Sequence, residues 1–142
     1  DLIYEPRAKD NEVRSADLWR AFAATAGGSS SLSPSEVDLV GGWIERTAKH
    51  LDGAAAGDLA HFLDTDLAVL GGLAAAYASY ATMVRHEYAH VPVAEFAKGR
   101  TAVLRGFEGH EALYFTPEAK AELETRARAN LAAEIQRLAR RV

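Results

Sequence analysis

The clearest chemical signal in the sequence is Asp66, an acidic residue on an otherwise apolar helix face. Between positions 59 and 84, eight residues are spaced alternately four and three apart, and seven of the eight are apolar or aromatic. They are Leu59, Leu63, Asp66, Leu70, Leu73, Tyr77, Tyr80 and Val84. A continuous helix would turn this face towards the core, where an ionised carboxylate is costly unless a cation or hydrogen-bond donors meet it. We therefore expect Asp66 to be buried and paired.

Two interpretations of Asp66 remain open. It is either a structural carboxylate, held by an arginine or by hydrogen bonds in the core, or a ligand of a metal ion. Asp64 provides the contrast, because it lies about 200° around the helix from Asp66 and has Ala60 and Ala68 among its helical neighbours. We expect Asp64 to face solvent or a groove. If one of the two aspartates binds a metal ion, Asp66 is the stronger candidate.

Four further residues could take part in chemistry, and each also has a structural interpretation. His50 ends a predicted helix, where a histidine interacts favourably with the helix dipole. Glu12 lies in the first turn of another helix, where acidic residues stabilise regardless of function. His86 and His90 are four residues apart and could clasp a metal ion, although their neighbours favour a solvated face. The sequence contains no Gly-rich phosphate loop, nucleophile elbow or His-Glu-x-x-His motif.

The composition is that of a globular protein and excludes several functional classes. A length of 142 residues suits one domain, and 49% apolar with 25% charged residues is ordinary. The formal net charge of -4 argues against a dedicated nucleic-acid-binding protein. The absence of cysteine excludes disulfides and thiolate metal ligands. The uncharged segment 67–84 is rich in Ala and Gly and weakly hydrophobic, so we expect no membrane span and a cytoplasmic location.

Helical periodicity dominates the chain, and no alternating strand pattern is evident, so we predict an all-α bundle of about five helices. Ser33 and Glu36 form a capping box, and Thr116 begins a second clear cap. The Gly/Ser-rich segment 27–31 is interpreted as a loop inside one domain that spans 1–142. The predicted helices run from Asp10 to Gly27, Ser33 to His50, Gly57 to Tyr88, Pro92 to Gly106 and Thr116 onwards.

The segment 64–71 resembles the last metal-binding helix of HD-superfamily phosphohydrolases. The likeness is strongest to a bacterial family of predicted metal-dependent HD phosphohydrolases, and it extends in the same order over nearly the whole chain. The matching segments are 11–16, 47–50, 62–67, 84–88, 96–100 and 127–131.

This resemblance implies an HD-like helical bundle that holds a divalent metal ion through an upstream histidine, a His-Asp pair and a later aspartate. Asp1 matches the aspartate of the pair, and Asp66 matches the last ligand. Glu12 lies where related enzymes place an acidic residue near the attacking water, and His50 matches a second-metal position in some HD proteins. Both family histidines would precede Asp1. We therefore expect an N-terminally incomplete domain that lacks one or more helices, and the apolar surface this exposes favours a homo-oligomer.

The function implied by the resemblance is hydrolysis of a phosphomonoester or nucleotide by a metal-activated water. The partners would be a small phosphorylated substrate and a divalent ion, namely Mn, Fe, Co, Ni, Zn or Mg. Glu12 would orient the water or relay a proton. The alternative is a non-catalytic helical module for interaction or oligomerisation, supported by the missing histidines and an arginine-rich last helix. Candidate phosphate clamps, among which the sequence does not choose, are Arg7, Arg14, Arg85 and Arg100.

Overall fold

The computed structural model describes residues 2–5, 8–25 and 32–140 of the chain. Over these ranges the regular secondary structure consists of six α-helices and two short 3₁₀ segments, without a strand. This confirms the all-α prediction. The 3₁₀ segments are Thr47–Lys49 and Ala68–Gly71. The helices are α1 (Asn11–Thr25), α2 (Pro34–Arg46), α3 (Gly57–Asp66), α4 (Ala74–Glu87), α5 (Val93–Glu108) and α6 (Pro117–Ala139).

The chain divides into two compact units, Asp1–Asp52 and Gly53–Val142. The first contains α1 and α2, and the second contains α3 to α6. The Gly/Ser-rich loop predicted at 27–31 lies outside the described residues. Within the described ranges, none of the helices combines the length and hydrophobicity needed to cross a membrane.

In the first unit, α1 and α2 pack against each other. Trp19 on α1 donates its indole N–H to the carbonyl of Val37 on α2, at 2.9 Å. The guanidinium of Arg20 lies where a Cβ on Gly41 would approach it to 2.7 Å, so the glycine makes room for this side chain. Arg20 then reaches Glu45 on α2 at 2.8 Å. These contacts join the two helices through one indole and one arginine.

Local hydrogen bonds define where α1 and α2 begin. The amide N–H of Glu5 donates to Asn11 Oδ1, and Asn11 Nδ2 donates back to the carbonyl of Glu5, both at 3.0 Å. At α2 the predicted capping box is present, with Ser33 accepting from the N–H of Glu36 and the Glu36 carboxylate accepting from the N–H of Ser33. The predicted start of α2 is thus confirmed.

The second unit is organised around α6, a helix of 23 residues. It packs with α4, with α5 and with the 3₁₀ segment Ala68–Gly71. The side chains of Leu63, Leu104, Leu113 and Leu131 are all 0% exposed. They come from α3, from α5, from the residues before α6 and from α6 itself, so these parts of the unit share one apolar core.

The long third helix predicted over 57–88 is interrupted in the structure. It consists of α3, the 3₁₀ segment and α4, which are separated around Gly71 and Gly72. A Cβ on Gly71 would lie 2.6 Å from the Cβ and 2.9 Å from the carbonyl oxygen of Leu123 on α6. Only glycine permits this approach of the turn to α6. The prediction of one continuous helix was wrong here, because the break depends on a contact with a residue 52 positions away.

Candidate functional site

The two aspartates near the end of α3 have burials opposite to those predicted. Asp64 is 5% exposed, whereas Asp66 is exposed. The expectation of a buried Asp66 and an outward Asp64 was wrong. It assumed that α3 continued through Val69 and Leu70, which would then have surrounded Asp66. Because α3 ends at Asp66, the helical periodicity does not extend to those residues.

Asp64 is a structural residue that holds the beginning of α6. Its Oδ1 accepts from the backbone N–H of Phe115 at 2.6 Å, and its Oδ2 accepts from the N–H of Thr116 at 2.8 Å and from Thr116 Oγ1 at 2.6 Å. Thr116 is also the N-cap of α6 and accepts from the N–H of Ala119. Both carboxylate oxygens of Asp64 are therefore occupied by protein donors. The negative charge also lies near the N-terminal end of α6, where the helix dipole favours it.

Asp66 is the last residue of α3, and the chain that follows it is held by side chains of the same unit. Four carbonyl groups of residues 67–72 accept hydrogen bonds from residues in or just before α6, at 2.8 to 3.1 Å. The donors are Tyr114 to Leu67, Asn130 to Leu70 and to Gly72, and Arg126 to Gly71. The backbone beside Asp66 is thus fixed although the Asp66 side chain is exposed.

A buried polar cluster lies farther along α6. Glu134 is 3% exposed, and its carboxylate accepts from Arg100 Nε at 3.0 Å, from a second Arg100 nitrogen at 3.3 Å and from the Tyr77 hydroxyl at 2.5 Å. Burial, together with this hydrogen bond to Glu134, raises the pKa of Tyr77. Tyr77 therefore remains a donor at any ordinary pH. Because Arg100 is committed to Glu134, it is a structural cation and not an available phosphate clamp.

Sequence reasoning missed Glu134, although a signal was present. Ala127, Leu131, Glu134 and Leu138 are spaced four, three and four apart on α6, and the other three are buried core residues. The same test that singled out Asp66 thus applies to Glu134. Here it would have succeeded, because α6 is continuous through this stretch and its periodicity predicts which side chains are buried.

The other predicted site residues are distributed between the two units. Glu12 is half-buried in the first turn of α1, and His50 is 8% exposed just after the 3₁₀ segment Thr47–Lys49. Both belong to the first unit, whereas Asp66 belongs to the second. Asp1 lies outside the described residues, as does the candidate clamp Arg7. Among the side chains that the structure describes, no group of three His, Asp or Glu residues could hold a metal ion.

The remaining candidates are near the surface. Arg14 pairs with Glu5 at 3.2 Å, and both side chains are largely exposed. Arg85 donates to the carbonyls of Tyr88 and Val91, which follow the end of α4. His86 and His90 are both exposed, as the alternative of a solvated face predicted.

Comparison of the chain with protein-family models, with curated proteins and with solved structures gives no match.

Tyr114, which binds the carbonyl next to Asp66, gives the second unit a testable dependence on alkaline pH. Burial raises the pKa of Tyr114 to about 12, against an ordinary value of about 10. The unfolded chain therefore loses its phenolic proton first, and stability present below pH 10 is lost as the pH rises towards 12. We expect the free energy of unfolding to fall by up to about 1.4 kcal/mol per pH unit from this residue.

Urea denaturation at pH 9, 10, 11 and 12 measures this effect. Tyr114→Phe is expected to be less stable than the parent at pH 9, since its hydrogen bond to Leu67 is missing, and to lose less stability above pH 10. If the two proteins lose stability in parallel over this range, Tyr114 is not the responsible group.

Proposed function

We propose that this protein is a metal-dependent phosphohydrolase in which Asp66 is one of the metal ligands. The observation that carries the proposal is that Asp66 is exposed at the end of α3, beside a backbone segment that side chains of α6 hold in place. Asp64, in the same turn of α3, accepts hydrogen bonds from three protein donors and is a structural residue. Asp66 is also the residue that matches the last metal ligand of the HD phosphohydrolases that the sequence resembles.

The electrostatic environment of Asp66 supports a cation at this position. A helix C-terminus carries a partial negative charge, which favours a cation near the Asp66 carboxylate. Carboxylate oxygen is also the donor type that Mg and Mn favour.

The fixed backbone around Asp66 also supports a ligand role. A metal site requires ligands held close to one geometry, and ligands on supported elements are more accurate than ligands on free loops. The hydrogen bonds from Tyr114, Arg126 and Asn130 hold the turn directly after Asp66. Three side chains therefore hold a short backbone segment, and a metal site needs such support to keep a carboxylate ligand in a defined position.

The described residues do not form a complete metal site. The resemblance assigns the further donors to Asp1 and to two family histidines that would precede it, and it assigns His50 to a second ion. When bound, a divalent ion supplies a water of lowered pKa and polarises a phosphoryl oxygen. The resemblance assigns to Glu12 the orientation of that water.

The proposal predicts that Asp66→Ala abolishes metal-dependent phosphate release. We would use the full-length protein, including any residues encoded before Asp1, with a panel of nucleotides and phosphomonoesters and with added Mn, Co, Ni or Mg. Loss of a ligand is expected to reduce both Mn affinity and turnover at least about 100-fold. Calorimetric titration with Mn and a phosphate-release assay measure the two quantities separately.

Asp58→Ala is the matched control, because Asp58 is an exposed aspartate in the first turn of the same helix. It should retain both Mn binding and turnover. Thermal unfolding of Asp66→Ala should match the parent within about 0.5 kcal/mol, since the residue is exposed. A folded protein that neither binds Mn nor releases phosphate would overturn the proposal and leave the non-catalytic helical module as the better interpretation.

A further inference from the structure

A cavity of about 210 Å³ lies among the later halves of α4 and α6 and the beginning of α5. It belongs wholly to the second unit and lies away from Asp66. Asp64 binds Thr116 at the start of α6, while the cavity is lined by residues 134, 137 and 138 of the same helix. Thr116 and Glu134 are separated by about 27 Å along the helix axis. The cavity and the end of α3 are therefore at opposite ends of α6.

The charged groups that line this cavity give it a net positive character. Arg85, Arg137 and Glu134 all line it. The carboxylate of Glu134 is already neutralised by Arg100, whose side chain is 10% exposed. Arg137 is exposed, and it is part of none of the ion pairs formed among the described residues. Two arginines thus face the cavity against one carboxylate that has its own buried counter-ion.

Apart from Thr82, the rest of the lining is apolar, and its Phe96 ring lies against Arg85. Phe96 and Val93 form the side from α5, and the guanidinium of Arg85 lies 4.8 Å from the centre of the Phe96 ring. The same guanidinium donates to two carbonyls after α4, at Tyr88 and at Val91. A guanidinium has five N–H donors, so these contacts fix its position without using all of them.

We propose that this cavity binds a small organic anion, in which a phosphoryl or carboxylate group meets Arg137 and Arg85 and an apolar body packs beside Phe96 and Val93. Arginine presents several donors in a planar fork that matches such anions. The volume accommodates a body about the size of one aromatic ring. This is a second site, independent of Asp66 and of the hydrolytic reaction proposed there.

Phenylphosphonate is a suitable probe, because its carbon–phosphorus bond is not a phosphoester and cannot be hydrolysed as one. We would titrate it into the full chain and follow backbone amide resonances by NMR. Shifts are expected at Thr82, Val93 and Arg137, with a Kd on the order of 1 mM for a ligand of this size. Inorganic phosphate and benzyl alcohol should each bind at least fivefold more weakly, because one lacks the apolar body and the other the charge.

Variants separate this site from general attraction to a basic surface. Arg137→Gln is expected to weaken phenylphosphonate binding about tenfold, the effect of one lost charge-assisted hydrogen bond. Arg105→Gln removes an exposed arginine of α5 that does not line the cavity, and should leave the Kd unchanged. Asp66→Ala should also leave it unchanged.

Three outcomes would overturn the inference. They are an absence of shifts in the cavity residues, an equal loss of affinity in the Arg137 and Arg105 variants, and a loss of binding in Asp66→Ala. The last would assign the probe to the proposed hydrolytic site. Failure of the metal assay would leave the anion site standing, since no metal takes part in the titration.

Discussion

Arg100→Met should lower the free energy of unfolding by about 3–5 kcal/mol, the range for breaking one partner out of a buried ion pair. The side chains of Arg100 and Glu134 are 10% and 3% exposed. Methionine retains much of the apolar stem of arginine, so the loss of stability measures mainly the removal of the charge and less the change in packing. The variant leaves the carboxylate of Glu134 buried with the Tyr77 hydroxyl as its remaining donor. Urea denaturation at neutral pH measures the change.

Two further variants make this expectation specific. Arg105→Met changes an exposed arginine on the same helix and should alter stability by no more than about 0.5 kcal/mol. Combining Arg100→Met with Glu134→Gln removes the stranded charge and should restore part of the loss, because a neutral amide is less costly to bury. A loss below about 1 kcal/mol in Arg100→Met, or no recovery in the double variant, would contradict the buried pair.

Asp64→Ala is expected to be the second severe substitution, with a loss of about 2–4 kcal/mol. It removes the acceptor of two backbone N–H groups and of the Thr116 hydroxyl, at a position only 5% exposed. These groups then remain unsatisfied next to the N-terminus of α6. The loss should appear as a lower urea midpoint, with weaker protection of the first amides of α6 from hydrogen exchange.

Asp66→Ala and Asp58→Ala are the comparisons for this experiment. Both change an exposed aspartate of α3, and each should cost no more than about 0.5 kcal/mol. The decisive comparison is between Asp64→Ala and Asp66→Ala. If Asp66→Ala is the more destabilising of these two, the burials of Asp64 and Asp66 are not those of the structure, and Asp66 is the core carboxylate that the periodicity predicted.

The helix starts were predictable because their causes are local. Ser33 and Glu36 satisfy each other's backbone groups within one turn, and Thr116 caps α6 within three residues. Such interactions involve neighbours in sequence and are therefore present in the pattern of residue types. The continuous periodicity of α6 likewise indicated its core side, including Leu131 and Leu138.

The break between α3 and α4 could not be predicted in the same way. Glycine residues occur at several helical positions of this chain, such as Gly99 and Gly106 in α5, without ending the helix. Gly71 differs because Leu123 lies against it, and because Arg126 and Asn130 donate hydrogen bonds to the carbonyls of the turn. These partners are more than 50 residues away in the chain.

The sequence by itself determined the all-α class and the capped starts of α2 and α6. Only the tertiary structure decided which aspartate is buried and which arginine is bound to a core carboxylate. The reason is physical. Local propensity and periodicity act over a few residues, whereas a buried charge is accepted only where distant donors converge on it. Phe115 and Thr116 provide those donors for Asp64, and Arg100 provides them for Glu134.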